Sequence, residues 1–438
     1  MATAYKDRQP GGCGQVIRFA LAGLMLLVAC GAARGADTAK LIASPEPDWP
    51  QWRGPKRDAV STETGLLDAW PEGGPKLLWK TTGLGRGWCS PIIVKDTIYI
   101  CGEIKWDLMI FAMGLDGEIK WRAVNGKAFK PRFRGSRAAC TYSAGKIYHM
   151  NGHGRVICLD AKTGKEQWVV DMLKRFDAVQ PYFGASECLL VDGNNVIVTP
   201  VGKKALIAAL DKKTGKTVWS SEPARVEDET TSYASPILVK AGKRRLIIST
   251  TQFRTFAADA DTGKIVWWVG LKLTDNVCST IPVLCGNTVL ITNTDPKEQN
   301  SSLLRISADG GKVRRVWNLP LRTTSGSVVQ VDSKFYIAGE RKMKGYLRLD
   351  AKTGKTEAKM DYPSNASAVW ADGKLYVMSA WLKVMMLKPT DGGFKTLGSF
   401  PLIPKVRRRD AWAHPVLFAG RLYLRYHDTL FCYDVKGQ

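Results

Sequence analysis

Asp160-Ala-Lys-Thr-Gly-Lys165-Glu-Gln-Trp168 decides the reading of this chain, because it returns along the whole length. It recurs as Asp211-Lys-Lys-Thr-Gly-Lys216-Thr-Val-Trp219 and as Asp259-Ala-Asp-Thr-Gly-Lys264-Ile-Val-Trp267. A copy without the tryptophan is Asp350-Ala-Lys-Thr-Gly-Lys355-Thr-Glu-Ala358, and shortened forms start at Asp116, Asp309 and Asp391. The Asp carboxylate suits backbone N–H groups two residues on, and the Gly accepts a left-handed conformation. Apolar and polar residues then alternate, so each phrase reads as a hairpin feeding a strand, with the indole free to pack on a neighbouring sheet. The tryptophan or its replacement falls at 79, 121, 168, 219, 267, 317, 358 and about 396, steps of roughly 40 to 51 residues, the period of propeller blades.

Between these phrases lie eight apolar strand pairs, starting at Ser90, Cys140, Leu189, Pro236, Ile281, Ser327, Ala368 and His414. The last unit stops at Thr429–Asp434 without a tryptophan strand, and the strand around Trp79 supplies one. Pairing the two ends removes the exposed sheet edges that invite aggregation. The expectation is an all-β chain: one eight-bladed antiparallel β-propeller over 76–438, closed by its N- and C-terminal strands. Before it, residues 37–75 are rich in Pro and Gly, which forbid a regular helix, so Trp49, Trp52 and Trp70 are expected on an extended strap packed against one edge.

Residues 1–36 read as an export signal. Lys6, Arg8 and Arg18 precede an apolar run from Phe19 to Ala29 that is short for a membrane span. Two processing routes stay open. Leu27-Val28-Ala29-Cys30 resembles a lipobox, with Cys30 lipidated and anchored to a membrane. Cleavage before Ala36 would release a free periplasmic protein. Ten cysteines in an exported chain permit disulfides without fixing their connectivity, and most of those in strands read as small buried apolar residues.

The formal net charge is +24, with basic residues gathered around Arg132, Arg134 and Arg137 and at Arg407, Arg408 and Arg409. In an exported chain this favours an envelope protein or an anionic cell-surface polymer over nucleic acid. A monomer is expected. The loops leading from each tryptophan strand into the next unit should meet at one end of the channel, bringing Trp88, Tyr182, Tyr233, Asp275, Asn276, Arg322 and Trp412 together as ligand or partner contacts. His149 and His153 lie on a strand and in a turn, a spacing without metal geometry, and His427 beside Asp428 makes a poor dyad. No nucleophile elbow, phosphate loop or paired carboxylates stand out, so no catalytic or metal residue is nominated.

The Asp-x-x-Thr-Gly-Lys-x-x-Trp phrases resemble the PQQ-like repeat family over nearly the whole mature chain, which itself implies the propeller. The resemblance implies two functions. One is a non-enzymatic scaffold similar to BamB, the lipoprotein of outer-membrane β-barrel assembly, in the periplasm or anchored to the outer membrane. The other is a PQQ-dependent alcohol or sugar dehydrogenase, whose family chemistry uses calcium and a pair of adjacent cysteines. This chain has no adjacent cysteines, and the scaffold is the preferred expectation.

Overall fold

Asp160 shows how the repeat folds. Its carboxylate accepts the N–H groups of Lys162 and Thr163 at 3.2 and 3.0 Å and the Thr163 hydroxyl at 2.9 Å. Asp211 and Asp259 repeat this set. Asp350 takes the Thr353 N–H and hydroxyl, and those bonds hold its carboxyl down at about 2. The glycine that completes each turn has a second duty. Gly164 has φ +71°, and a Cβ there would meet the Trp121 ring of the preceding unit at 2.6 Å. Gly117 against Trp79, Gly215 against Trp168 and Gly354 against Trp317 repeat that approach.

The structure is a computed structural model describing residues 38–223, 229–231, 233–271, 279–292, 294, 301–324, 328–406 and 410–437. These residues form eight antiparallel sheets. Blade 1 runs outward through Ile92–Val94, Thr97–Ile104, Asp107–Gly114 and Ile119–Lys127. Blades 2 to 7 follow the same order, starting at Thr141, Leu190, Ile237, Val283, Val328 and Ala366. Blade 8 comprises Val416–Phe418, Arg421–Tyr426 and Thr429–Asp434, and its outer strand is Leu77–Thr81 from the other end of the chain. Trp79 pairs with Cys432 and Lys80 with Phe431, as the sequence requires for a closed ring. Among the described residues the single α-helix is Met172–Phe176, between blades 2 and 3, and no helix is long and apolar enough to cross a membrane.

Apolar faces of adjacent sheets make the core. Val329 and Tyr336 of blade 6 pack with Leu375 and Val377 of blade 7, and Ile197 of blade 3 packs with Ile247 and Phe256 of blade 4. Four indoles add a hydrogen bond across the same boundary. Trp79, Trp121, Trp168 and Trp267 donate to the carbonyls of Leu115, Ala161, Lys212 and Gly310 at 2.8, 3.1, 3.0 and 3.2 Å.

The strap departs from the expected edge position. Its first part runs among the inner strands, and as a whole it reaches every blade; Trp70 keeps an edge position, donating to the Leu397 carbonyl in the outer strand of blade 7 at 2.9 Å. Lys40–Leu41 adds a strand to Ile237–Ala241 of blade 4, Ala39 N–H meets Asn287 of blade 5, and Trp49 bridges Ile93 of blade 1. Pro50 accepts from Tyr142 of blade 2, Val60 bridges Trp370 of blade 7, and Leu67 donates to Val435 after blade 8. Blades 3 and 6 are held by two buried arginines. Arg57 donates to the carbonyls of Cys188, Leu189 and Pro236, and Arg53 to that of Val328. Burial lowers both guanidiniums to about 10. The reason for the central position is now plain: a ring of inner strands leaves unpaired backbone groups around the axis, and a strap of Pro, Gly and Arg can satisfy them where water is excluded.

Glu187 sits next to this arrangement, fully buried. Its Oε2 accepts the Thr199 N–H at 3.0 Å, while Oε1 has no partner in the protein. Burial pushes the carboxyl up from 4.5 to about 8 against the opposing pull of Thr199 and Arg57.

Gly164→Ala meets both a positive φ and an indole, whereas Gly145→Ala, at φ +77°, meets nothing within 4 Å. Urea denaturation should show a loss of roughly 1 to 2 kcal/mol for Gly145→Ala and a clearly larger one for Gly164→Ala. Because the folded-state pKa of Glu187 is raised, the folded protein holds the proton more tightly. Its contribution is full below about pH 4.5 and declines as pH rises to about 8. Glu187→Gln should therefore gain stability relative to the parent across that interval, read from denaturation midpoints at each pH.

Candidate functional site

The strap closes one end of the channel, and a cavity of about 460 Å³ remains at the other. Trp52 of the strap faces it, with His414 against the indole at 5.0 Å between ring centroids. The walls come from the loops that lead from each outer strand to the next inner strand. One side is aromatic. Trp88 stands 5.1 Å from Trp412, Trp412 5.7 Å from Phe133, Phe133 5.6 Å from Phe183, and Phe183 5.6 Å from Tyr233. The Tyr233 hydroxyl accepts the Phe183 N–H at 3.1 Å, which ties two of these loops together. The Nε1 atoms of Trp88 and Trp412 are buried without an acceptor in the protein.

The other side is polar. Ser279, Thr294 and Thr324 line it together with Arg322. Arg322 donates to the Thr294 carbonyl at 2.8 Å and to Glu340 at 2.7 Å, and Glu340 also accepts the Thr324 N–H at 2.9 Å. A second guanidinium, Arg137, lines the aromatic side at 5.7 Å from the Trp88 ring and 4.8 Å from Phe129. It donates to the carbonyls of Gly135, Arg132 and Phe133, each at 2.7 Å, and burial lowers it to about 10. Glu103 anchors the same loop, accepting the N–H groups of Phe129 and Gly135 at 2.8 Å. Burial raises its carboxyl above the usual range, against those two bonds and Arg137.

Behind Trp88 is a thiol cluster. Cys89 and Cys101 sulfurs lie 3.2 Å apart, and the fully buried Arg425 donates to Cys89 Sγ at 2.6 Å and to the Cys89 carbonyl at 3.2 Å. Burial pushes both thiols well above their ordinary pKa, against the opposing pull of Arg425. His149 is buried and reaches Cys101 Sγ at 3.2 Å. His427 bonds Asp410 at 3.0 Å, not the adjacent Asp428. Among the described residues no three His, Cys, Asp or Glu side chains form a metal-holding group.

Of the residues expected at the channel mouth, Trp88, Tyr233, Arg322 and Trp412 meet in the cavity. Tyr182 does not line it. It is 57% exposed beneath Arg132, and its neighbour Phe183 takes the inward place, its N–H held by the Tyr233 hydroxyl. Asp275, Asn276, Arg407, Arg408, Arg409 and Cys30 lie outside the described residues. Arg132 and Arg134 are exposed outside the mouth, whereas Arg137 turns into the cavity. Trp52, Phe133, Phe183 and His414 escaped sequence reasoning. The available signal for Phe133 was its place in the aromatic-basic run 129–137; Trp52 carried none, since its position depends on the strap.

This architecture defines an eight-bladed propeller built of PQQ-like repeats. The chain belongs to the family described as outer membrane protein assembly factor BamB, whose profile matches residues 110–356 and 203–436. The solved BamB of Moraxella catarrhalis superposes with a TM-score of 0.57 at 17% identity, over 82% of this chain and 99% of that one. The quinohemoprotein alcohol dehydrogenase of Comamonas testosteroni gives 0.62 at 14% identity, over 90% of this chain and 81% of that one. In sequence, the quinohemoprotein alcohol dehydrogenase ADH-IIG of Pseudomonas putida is 26% identical over 330 residues, 68% of this chain and 41% of that protein. The quinoprotein ethanol dehydrogenase of Pseudomonas aeruginosa is 31% identical over 144 residues, 31% of this chain and 23% of that protein. The chain thus spans less than half the length of these two curated relatives.

A quinone with calcium can be tested against the lining. Arg137 and Arg322 suit an anionic ring system. Calcium takes six to eight oxygen donors, carboxylates prominent among them. The described lining offers hydroxyls and two cations and includes no carboxylate. The described donor set does not fit the ion; Asp275 and Asn276 lie outside the described residues.

Glu103 makes the mouth testable. Glu103→Ala removes both carboxylate acceptors that hold the 129–137 loop, and limited trypsin digestion at Arg132 and Arg134 should accelerate roughly tenfold or more while the rest of the ring stays resistant.

Proposed function

We propose that this protein is an exported, non-catalytic binding propeller whose aromatic channel mouth receives a segment of an envelope protein, in the periplasm or anchored to the outer membrane through a lipid on Cys30. The supporting observation is the convergence of five aromatic rings and two guanidiniums, drawn from six inter-blade loops, on one cavity. Rigid rings and arginines are the groups that carry most binding energy in protein interfaces. Arg132 and Arg134 outside the mouth add a field that favours an acidic segment. In this reading the propeller acts as one copy, supported by a described lining drawn from several loops of one chain.

The quinoprotein relatives favour a second reading, a PQQ-dependent alcohol or sugar dehydrogenase. Its difficulty is the absence of calcium donors in the described lining. Adding PQQ and Ca²⁺ to the purified protein separates the two. The expected result is neither a quinone absorption band nor dye-linked oxidation of alcohols or sugars, and turnover would overturn the scaffold. In parallel, Trp412→Ala should lose capture of the partner retained from envelope extract by the parent, an effect of about 2 kcal/mol or more for a central aromatic anchor. Equal capture by both would remove the cavity from the binding surface.

A further inference from the structure

The opposite face of the ring, where the Asp hairpins lie, carries a second cavity of about 710 Å³ between blades 5 and 6. Its lining includes Arg305, Lys312, Arg314 and Lys352, with hydroxyls from Thr288 and Ser333 and no carboxylate. None of these four cations makes a salt bridge among the described residues, whereas Lys146 and Lys334, at the second-strand place that Thr288 holds in blade 5, do.

The ladder between second and third strands shows the contrast. Asp160 stands opposite Lys146, Asp211 opposite Asn195, Asp350 opposite Lys334 and Asp434 opposite Arg421. Lys146 and Lys334 close ion pairs with those carboxylates at 3.0 and 3.2 Å. In blade 5 the same place is held by Arg305, opposite Thr288, so the sign of the charge is inverted. On its other side Arg305 faces Arg314 directly across the strand pair. Like charges in that arrangement repel, and among the described residues no carboxylate lines the cavity beside them. Asp309 in the adjoining hairpin does not line the cavity. Its carboxylate is taken by Ser307 and by Gly311 N–H at 3.1 Å.

We propose that this cavity is an oligophosphate site, independent of the aromatic mouth. Two guanidiniums side by side match phosphate oxygens in bidentate fashion, and the two lysines add point charges at the edge. Neighbours across one ladder step are about 5 Å apart, which suits successive anionic groups on a chain. A recess of this volume favours a soluble chain that enters it over a membrane surface.

The test uses the full chain and inorganic tripolyphosphate in titration calorimetry at about 50 and 200 mM salt. One molecule should bind per chain. Arg305→Ser with Arg314→Ser should weaken it about tenfold or more and flatten its salt dependence. Lys312→Ser with Lys352→Ser should act in the same direction. Lys165→Ser with Lys216→Ser removes equal charge from exposed hairpins of other blades and should leave the affinity unchanged. Because the arginine pair repels itself, its variant should denature no earlier than the parent, so lost binding is not lost folding. No binding by the parent, or equal weakening by the control pair, overturns the proposal. So does binding of phosphatidylglycerol vesicles without tripolyphosphate, which would assign the cations to a lipid surface.

Discussion

The ring rests on an indole from one blade lying against the hairpin glycine of the next. Gly117, Gly164, Gly215 and Gly354 combine a left-handed backbone with a missing Cβ, and the space so left is filled by Trp79, Trp121, Trp168 and Trp317. The turn and the blade contact therefore use one residue for two purposes. Trp79 has the further role of joining the ends, because its strand belongs to blade 8 while its Nε1 bonds Leu115 of blade 1. Local hairpin formation and global closure support each other, the consistency that gives a single native state.

Closing a ring creates an axis that must be filled or solvated. Here the strap fills it from one end. Arg57 and Arg53 are buried cations without a carboxylate ion pair among the described residues, and their donors, Arg53 Nη1 excepted, are met by Gln51 and by carbonyls of the strap and of different blades. Burying a charge this way is tolerable only when its donors are matched, and the planar five-donor guanidinium is suited to several carbonyls at once. The functional consequence is a blind recess with Trp52 facing it, not an open channel.

The two faces then differ in chemistry. One presents aromatic rings with guanidiniums held in place by Glu340 and by loop carbonyls. The other presents short Asp hairpins whose carboxylates are bonded within the turn and, in blades 2 and 6, also paired with a second-strand lysine, whereas in blade 5 an arginine holds the carboxylate's place. Family membership fixes the framework these faces share. Specific chemistry lies in the loops and in the departures from the repeat.

Much of this was legible in order. The phrase Asp-x-x-Thr-Gly-Lys-x-x-Trp determined hairpin, strand and spacing, since its interactions are between residues a few positions apart and repeat with the period of a blade. Counting strands determined closure, and loop position brought Trp88, Tyr233, Arg322 and Trp412 to the mouth. What only the tertiary structure decided is the course of the strap and the inward turn of Phe183 and Arg137. Arg57 meets carbonyls 131 and 179 residues away, partners that no local pattern announces. A repeat encodes the contacts it repeats; a segment used once, like the strap, takes its place from whichever surfaces the closed ring leaves unsatisfied.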